Sequence, residues 1–79
     1  MTNPMDAVDA AQKEYDRYAR QLAVGLMVQH QLDTDPHAPG DRSARSDAAR
    51  KRMQAESLEK FIAASAALDA ARDACRVTA

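Results

Sequence analysis

Along the first part of the chain, apolar residues recur at three- and four-residue steps: Met5, Val8, Ala11, Tyr15, Tyr18, Leu22 and Leu26. That spacing holds one face of an α-helix apolar. Asn3 offers an N-cap, Pro4 suits the first helical position, and Asp6 places acid in the first turn. Val24, Met27 and Val28 widen the stripe near its end. Gly25 interrupts it at about 1 kcal/mol against alanine, which predicts a close approach of another helix there. The predicted helix covers about residues 4–32 and stops ahead of Asp35-Pro36, because a residue before proline avoids the helical region.

A second helical pattern begins between Asp41 and Ser46, with Asp41, Ser43 and Ser46 competing as caps, and runs without a breaker to about Val77. Phe61, Leu68 and Cys75 form its strongest column at seven-residue spacing, flanked by Leu58, Ile62, Ala64 and Ala71. Between the two patterns, Asp33 to Asp41 reads Asp-Thr-Asp-Pro-His-Ala-Pro-Gly-Asp and carries two of the three prolines and one of the two glycines. The chain therefore reads as one all-α domain, a two-helix antiparallel hairpin. Helix 1 spans about 4–32, the loop 33–42 and helix 2 about 43–77. With no apolar anchor visible in it, the loop is expected to be mobile.

A symmetric turn pairs positions whose numbers sum to about 75. Tyr15 then meets Lys60 and Phe61, Tyr18 meets Ser57 and Leu58, and Val8 meets Ala67 and Leu68. Asp6 and Asp9 fall beside Arg72 and Arg76. Tyr15, Tyr18, Leu58, Phe61 and Leu68 are expected to be largely buried between the helices. Two helices cover one strip each, and both carry more apolar surface than that. Dimerisation into an antiparallel four-helix bundle would cover the remainder. The apolar partner-binding candidates are Tyr15, Tyr18, Leu22, Leu26, Met27, Met53, Leu58, Phe61, Ile62 and Leu68. Met1, Met5, Met27 and Met53 also admit a plastic binding surface, although core filling is the commoner role.

Charge changes this picture locally. The chain has 11 basic and 12 acidic side chains, net −1, so it is neither a polyanion binder nor an acidic tail overall. Residues 42–52 nevertheless hold Arg42, Arg45, Arg50, Lys51 and Arg52 against Asp47, net +4. They lie in the first turns of helix 2, where the helix dipole disfavours cations. The acidic loop residues Asp33, Asp35 and Asp41 could offset them, or the cluster could serve an acidic protein or nucleic acid. No aromatic residue interleaves the cluster, and no third helix completes a helix-turn-helix module.

Candidate chemistry adds little. His30, Asp33, Asp35 and His37 are ligand types for zinc or another divalent ion, but they sit in a turn at no recognised metal spacing. No metal site, cofactor or catalytic residue is assigned, and an enzyme is not expected. Cys75 is the only cysteine, which excludes an internal disulfide and suggests a reducing, bacterial or cytosolic setting. Neither a signal peptide nor a membrane span is read, so a cytoplasmic location is expected, with no membrane partner.

The stretch Gln54-Ala-Glu-Ser-Leu-Glu-Lys-Phe-Ile-Ala-Ala resembles the second helix of the small E-component co-chaperones of type III secretion needles. The resemblance spans these eleven residues. It implies a cytoplasmic helical hairpin that keeps a needle subunit soluble before export. The Asp/Pro/His loop is longer than that family's tight turn, and no functional residue carries over. The expected function is thus a non-catalytic protein–protein interaction module acting as a homo-oligomeric hairpin: an adaptor, a small chaperone or an inhibitor. Its partners are itself and another protein. The alternative is a small nucleic-acid-associated regulator that uses residues 42–52.

Overall fold

The computed structural model describes residues 3–78 and consists of two helices, α1 (Pro4–Thr34) and α2 (Ala44–Thr78), packed antiparallel. Met1 lies outside the described residues. The hairpin measures 54 × 18 × 18 Å. Its radius of gyration is 17.2 Å, against roughly 12 Å for a compact globule of this length. A rod this thin has little interior. Leu32, Ala64 and Leu68 are the buried apolar residues among those described.

Local chemistry fixes the ends of the helices. Asn3 is extended (φ −66°, ψ 134°), and its side chain accepts a hydrogen bond from the Met5 amide at 3.0 Å. α1 runs one half-turn past the expected Leu32, because the restricted residue is Asp35 itself. Asp35 takes the extended conformation that Pro36 requires and closes the helix at Thr34. Of the three candidate caps for α2, Ser43 is the one used: its hydroxyl accepts from the Ser46 amide at 3.2 Å. Asp41 braces this cap from outside, accepting from the Ser43 amide at 2.9 Å and the Ser46 hydroxyl at 2.8 Å.

The helices meet along a seam that alternates steps of three and four. On α1 it follows Val8, Ala11, Tyr15, Tyr18, Leu22, Gly25, Gln29 and Leu32, and on α2 it follows Arg50, Gln54, Ser57, Phe61, Ala64, Leu68, Ala71 and Cys75, all half-buried or buried. This is a heptad seam, with polar residues in the half nearest the loop. The expected stripe departs from it at several points. Leu26 is 52 % exposed, because after Leu22 the contact line turns through Gly25 and Gln29. Leu58 (45 %) and Ile62 (59 %) also lie off the seam. Tyr15, Tyr18 and Phe61 are half-buried rather than buried, since a pair of helices closes over one side of a ring only.

The register also differs. Met5 faces Cys75, Gly25 faces Gln54, Gln29 faces Arg50 and Tyr15 faces Phe61, which gives number sums of 76 to 80 rather than 75. The shift follows from the loop, which starts and ends later than expected. The expected pairing of Asp6 and Asp9 with Arg72 and Arg76 is not among the ion pairs of the described residues. Arg72 donates instead to Gln12 Oε1 at 3.1 Å, and Arg76 pairs with Asp73 of its own helix at 3.4 Å.

Gly25 does not need to be a glycine for steric reasons. A Cβ there would lie 3.5 Å from Gln54 Cγ, an ordinary contact. Gly40 does, having φ +145° and a space into which a Cβ would bring Leu32 Cδ2 to 2.8 Å.

Candidate functional site

Three surfaces could carry function: the loop end with its basic cluster and the two long flanks of the hairpin. The loop end is a polar clasp. Gln29, 9 % exposed, donates to Asp33 Oδ1 at 2.9 Å and Asp47 Oδ1 at 3.0 Å and accepts from Arg50 Nε at 3.1 Å. Arg50 also donates to the Asp41 carbonyl at 2.7 Å, and Lys51 Nζ lies 2.8 Å from Asp47 Oδ2. Arg42 donates to the Ala38 carbonyl at 3.0 Å and to the Asp35 carbonyl. The basic cluster is therefore offset from within the chain, largely by loop carbonyls rather than by the loop carboxylates. Among the described residues, Arg45 and Arg52 are exposed and make no such contacts.

Titration follows these bonds. The Lys51 ammonium, then the Gln29 amide, hold Asp47 below the ordinary 3.8. The Ser43 amide, then the Ser46 hydroxyl, do the same for Asp41. Asp47 in turn raises Lys51 above 10.5. The loop also has an apolar anchor that was not expected from sequence: Gly40 packs over the Leu32 side chain, itself 9 % exposed.

The His/Asp set of the loop is dispersed. The Asp35 carboxylate accepts from the His37 amide at 2.9 Å, Asp33 belongs to the Gln29 clasp, and the His30 carbonyl accepts from Thr34 Oγ1 at 2.7 Å. Among the described residues, no three His, Cys, Asp or Glu side chains converge as a metal ion would require.

On one flank, α1 and α2 frame an open groove of about 810 Å³. Val24, Val28 and Met53 give it an apolar floor, with Gly25, Gln54 and Ser57 between them. Lys13, Arg17, Arg20 and Arg50 stand around it, with Asp16 as the acid. On the seam near it, the Tyr18 ring lies 5.6 Å from the Arg17 guanidinium and 6.0 Å from Lys60 Nζ. The opposite flank carries Leu26, Leu58 and Ile62. Leu26 is two residues from both Val24 and Val28, and Ile62 is about two and a half turns from Met53, so each points away from the groove. Met27, 59 % exposed, lies on the back of α1 between the flanks.

The ten apolar candidates thus divide. Leu68 is buried, and Tyr15, Tyr18, Leu22 and Phe61 line the seam, where the Tyr15 and Phe61 rings stand 5.0 Å apart at 41°. Leu26, Met27, Met53, Leu58 and Ile62 face outward. The sequence reading missed the Gln29 clasp and the groove. An i, i+4, i+7 line of cations at Lys13, Arg17 and Arg20 was the available signal for the groove.

Among the described residues, no helix is long and apolar enough to cross a membrane. Comparison with protein-family models, curated proteins and solved structures finds no match to this chain.

Proposed function

We propose that the protein is a non-catalytic protein-interaction module that works as a homo-oligomeric helical hairpin. One observation carries this reading, the surplus of surface. The chain exposes 6061 Å², roughly 1,400 Å² more than a compact protein of its mass. A standard interface covers about 800 Å² per partner, so the surplus is large enough for one with area left over. Much of it is apolar, since Val24, Leu26, Met27, Met53, Leu58 and Ile62 are each 45 % or more exposed.

The Leu26, Leu58 and Ile62 flank is the better face for a second copy. Helical spacing borders it with Lys51, Glu59 and Asp69, a mixture of signs that two-fold symmetry tolerates. Pairing the groove flank with itself would set Lys13, Arg17 and Arg20 of both copies together. Dimerisation through the mixed-sign flank completes a four-helix bundle. A chaperone-like role, as implied by the resemblance of residues 54–64, falls within this reading. Sedimentation velocity at micromolar concentration tests it. A dimer is expected for the wild type and a helical monomer for Leu58→Asp with Ile62→Asp. A cooperative wild-type monomer refutes it.

The nucleic-acid reading retains Arg45 and Arg52, the exposed cations of the cluster that the clasp does not engage. It requires oligonucleotide binding that weakens steeply with salt.

A further inference from the structure

We infer that the groove flank is the docking site for an amphipathic helix of a partner protein, one whose apolar strip is bordered by Asp and Glu. The inference rests on reading the hairpin as an interaction module, but not on its self-association. The floor of Val24, Val28 and Met53 is apolar and open to solvent: Val24 is 50 % exposed and Met53 66 %. From Lys13 to Val28 the trough extends for about 22 Å at 1.5 Å per residue, which seats a helix of about four turns. Burial of these three side chains is the gain that an occupant brings.

Charge selects the occupant. Lys13, Arg17, Arg20 and Arg50 face Asp16 around the groove, net +3. Glu14 approaches Arg17 at 3.8 Å, but both side chains are more than half exposed and the pair holds little. Lys13, Arg17 and Arg20 fall at i, i+4 and i+7, so they form a line beside the floor. That is the arrangement by which charges flanking a coiled-coil seam choose the sign of a facing helix. Arg50 is fixed by Gln29 and the Asp41 carbonyl and pairs with Asp47 at 3.7 Å, so it is positioned but partly neutralised, and Lys13, Arg17 and Arg20 carry the selection. Among the seam residues Gly25 has no side chain, and its carbonyl is held by Gln54 Nε2 at 3.3 Å.

The test uses synthetic helical peptides of roughly 18 residues, a length that spans the trough. One has a leucine/alanine strip flanked by glutamate. A second has lysine in place of glutamate, and a third keeps glutamate but replaces leucine with serine. A single-stranded oligonucleotide of similar length serves as a generic polyanion. Fluorescence anisotropy against wild-type hairpin should show binding of the first peptide, with the second and third weaker by about tenfold or more. Arg17→Glu with Arg20→Glu should invert the preference between glutamate and lysine peptides, and Val28→Lys should abolish binding of the first. Circular dichroism checks that each variant remains helical, and Arg20→Gln, which should lower the preference without inverting it, is the fallback if the double variant unfolds.

Three results overturn the inference. Equal binding of glutamate and lysine peptides removes the role of charge. Equal binding of the serine peptide or the oligonucleotide reduces the groove to a polyanion surface. A changed sedimentation mass in the Arg17/Arg20 variant makes the occupant a second copy. The wild-type mass reports self-association separately, so failure of the dimer and failure of the groove are read in different experiments.

Discussion

The two glycines should respond to the same substitution with opposite sign. Gly25 lies inside α1, where glycine is about 1 kcal/mol worse than alanine, and an added Cβ would lie 3.5 Å from Gln54 Cγ, in ordinary contact. Gly25→Ala should therefore stabilise the hairpin by about 0.5–1 kcal/mol. Gly40 has φ +145°, a conformation that an alanine adopts at about 1–3 kcal/mol. Its Cβ would also lie 2.8 Å from Leu32 Cδ2, and Leu32 can move only by giving up the burial that anchors the loop. For a domain of this size 1 kcal/mol shifts Tm by roughly 4–8 °C. Thermal melts followed by circular dichroism should show a rise of about 2–8 °C for Gly25→Ala and a fall of at least about 4 °C for Gly40→Ala. Both must be run at one protein concentration, because association makes Tm concentration-dependent. A neutral Gly40→Ala would refute the loop geometry. A destabilising Gly25→Ala would restore the close-approach reading of that position.

Leu68→Ala should cost about 2–5 kcal/mol, because the side chain is 4 % exposed, and should unfold much of the population. Leu58→Ala, at 45 % exposure, should cost less than about 1 kcal/mol of folding stability while weakening the proposed dimer, which melts and sedimentation together resolve. Phe61→Ala should fall below the ~3–5 kcal/mol of a fully buried ring, since Phe61 is half-buried. Asp41 and Asp47 are held below 3.8 in the folded state, so their contribution is complete above that value and is lost as pH falls through the lowered pKa. An acid titration of helicity should show it, with Asp47→Asn flattening part of the acid limb. Lys51, raised above 10.5, contributes below that value and loses its contribution as pH climbs through the folded pKa. Arg42→Ala removes the side-chain bonds to the Asp35 and Ala38 carbonyls and should speed proteolytic cleavage within residues 35–43 without loss of helical signal.

The hairpin itself was legible because its signals are local. Asn3-Pro4 starts one helix, the Asp/Pro/Gly run ends it, and Ser43 restarts the chain. The seam was legible only where its residues are apolar. Phe61, Leu68 and Cys75 stand out as a column, and Tyr15, Tyr18 and Leu22 as a stripe. Towards the loop the seam passes through Gly25, Gln29, Arg50 and Gln54, which an apolar pattern skips. The eye then follows Leu26, Leu58 and Ile62, which are large and apolar but lie outside. Gln29 reads as a surface residue until its three hydrogen bonds are known, and the two that reach α2, with Asp47 and Arg50, depend on a register that the loop sets. The groove was hidden for the same reason. Val24 and Val28 on α1 meet Met53 of α2 only once the register is fixed.

The polar half of the seam also bears on how two surfaces could work on one thin rod. A fully apolar seam would let the helices slide by a turn at small loss. Sliding by a turn here would separate Gln29 from Asp47 and Arg50, leaving its Oε1 without a donor and its Nε2 with Asp33 alone, at about 1–3 kcal/mol. The clasp therefore favours one register, as single polar residues do in coiled-coil seams. That register aligns Met53 with Val24 and Val28 on one side and brings Leu58 to about the level of Leu22 on the other. If self-association uses the mixed-sign side and partner capture the cationic side, both depend on Gln29, although it touches neither. Gln29→Leu should then weaken dimer and peptide binding together, whereas Leu58→Asp and Arg17→Glu should each affect only one. Independent loss of a single activity in Gln29→Leu would show that the register is held elsewhere.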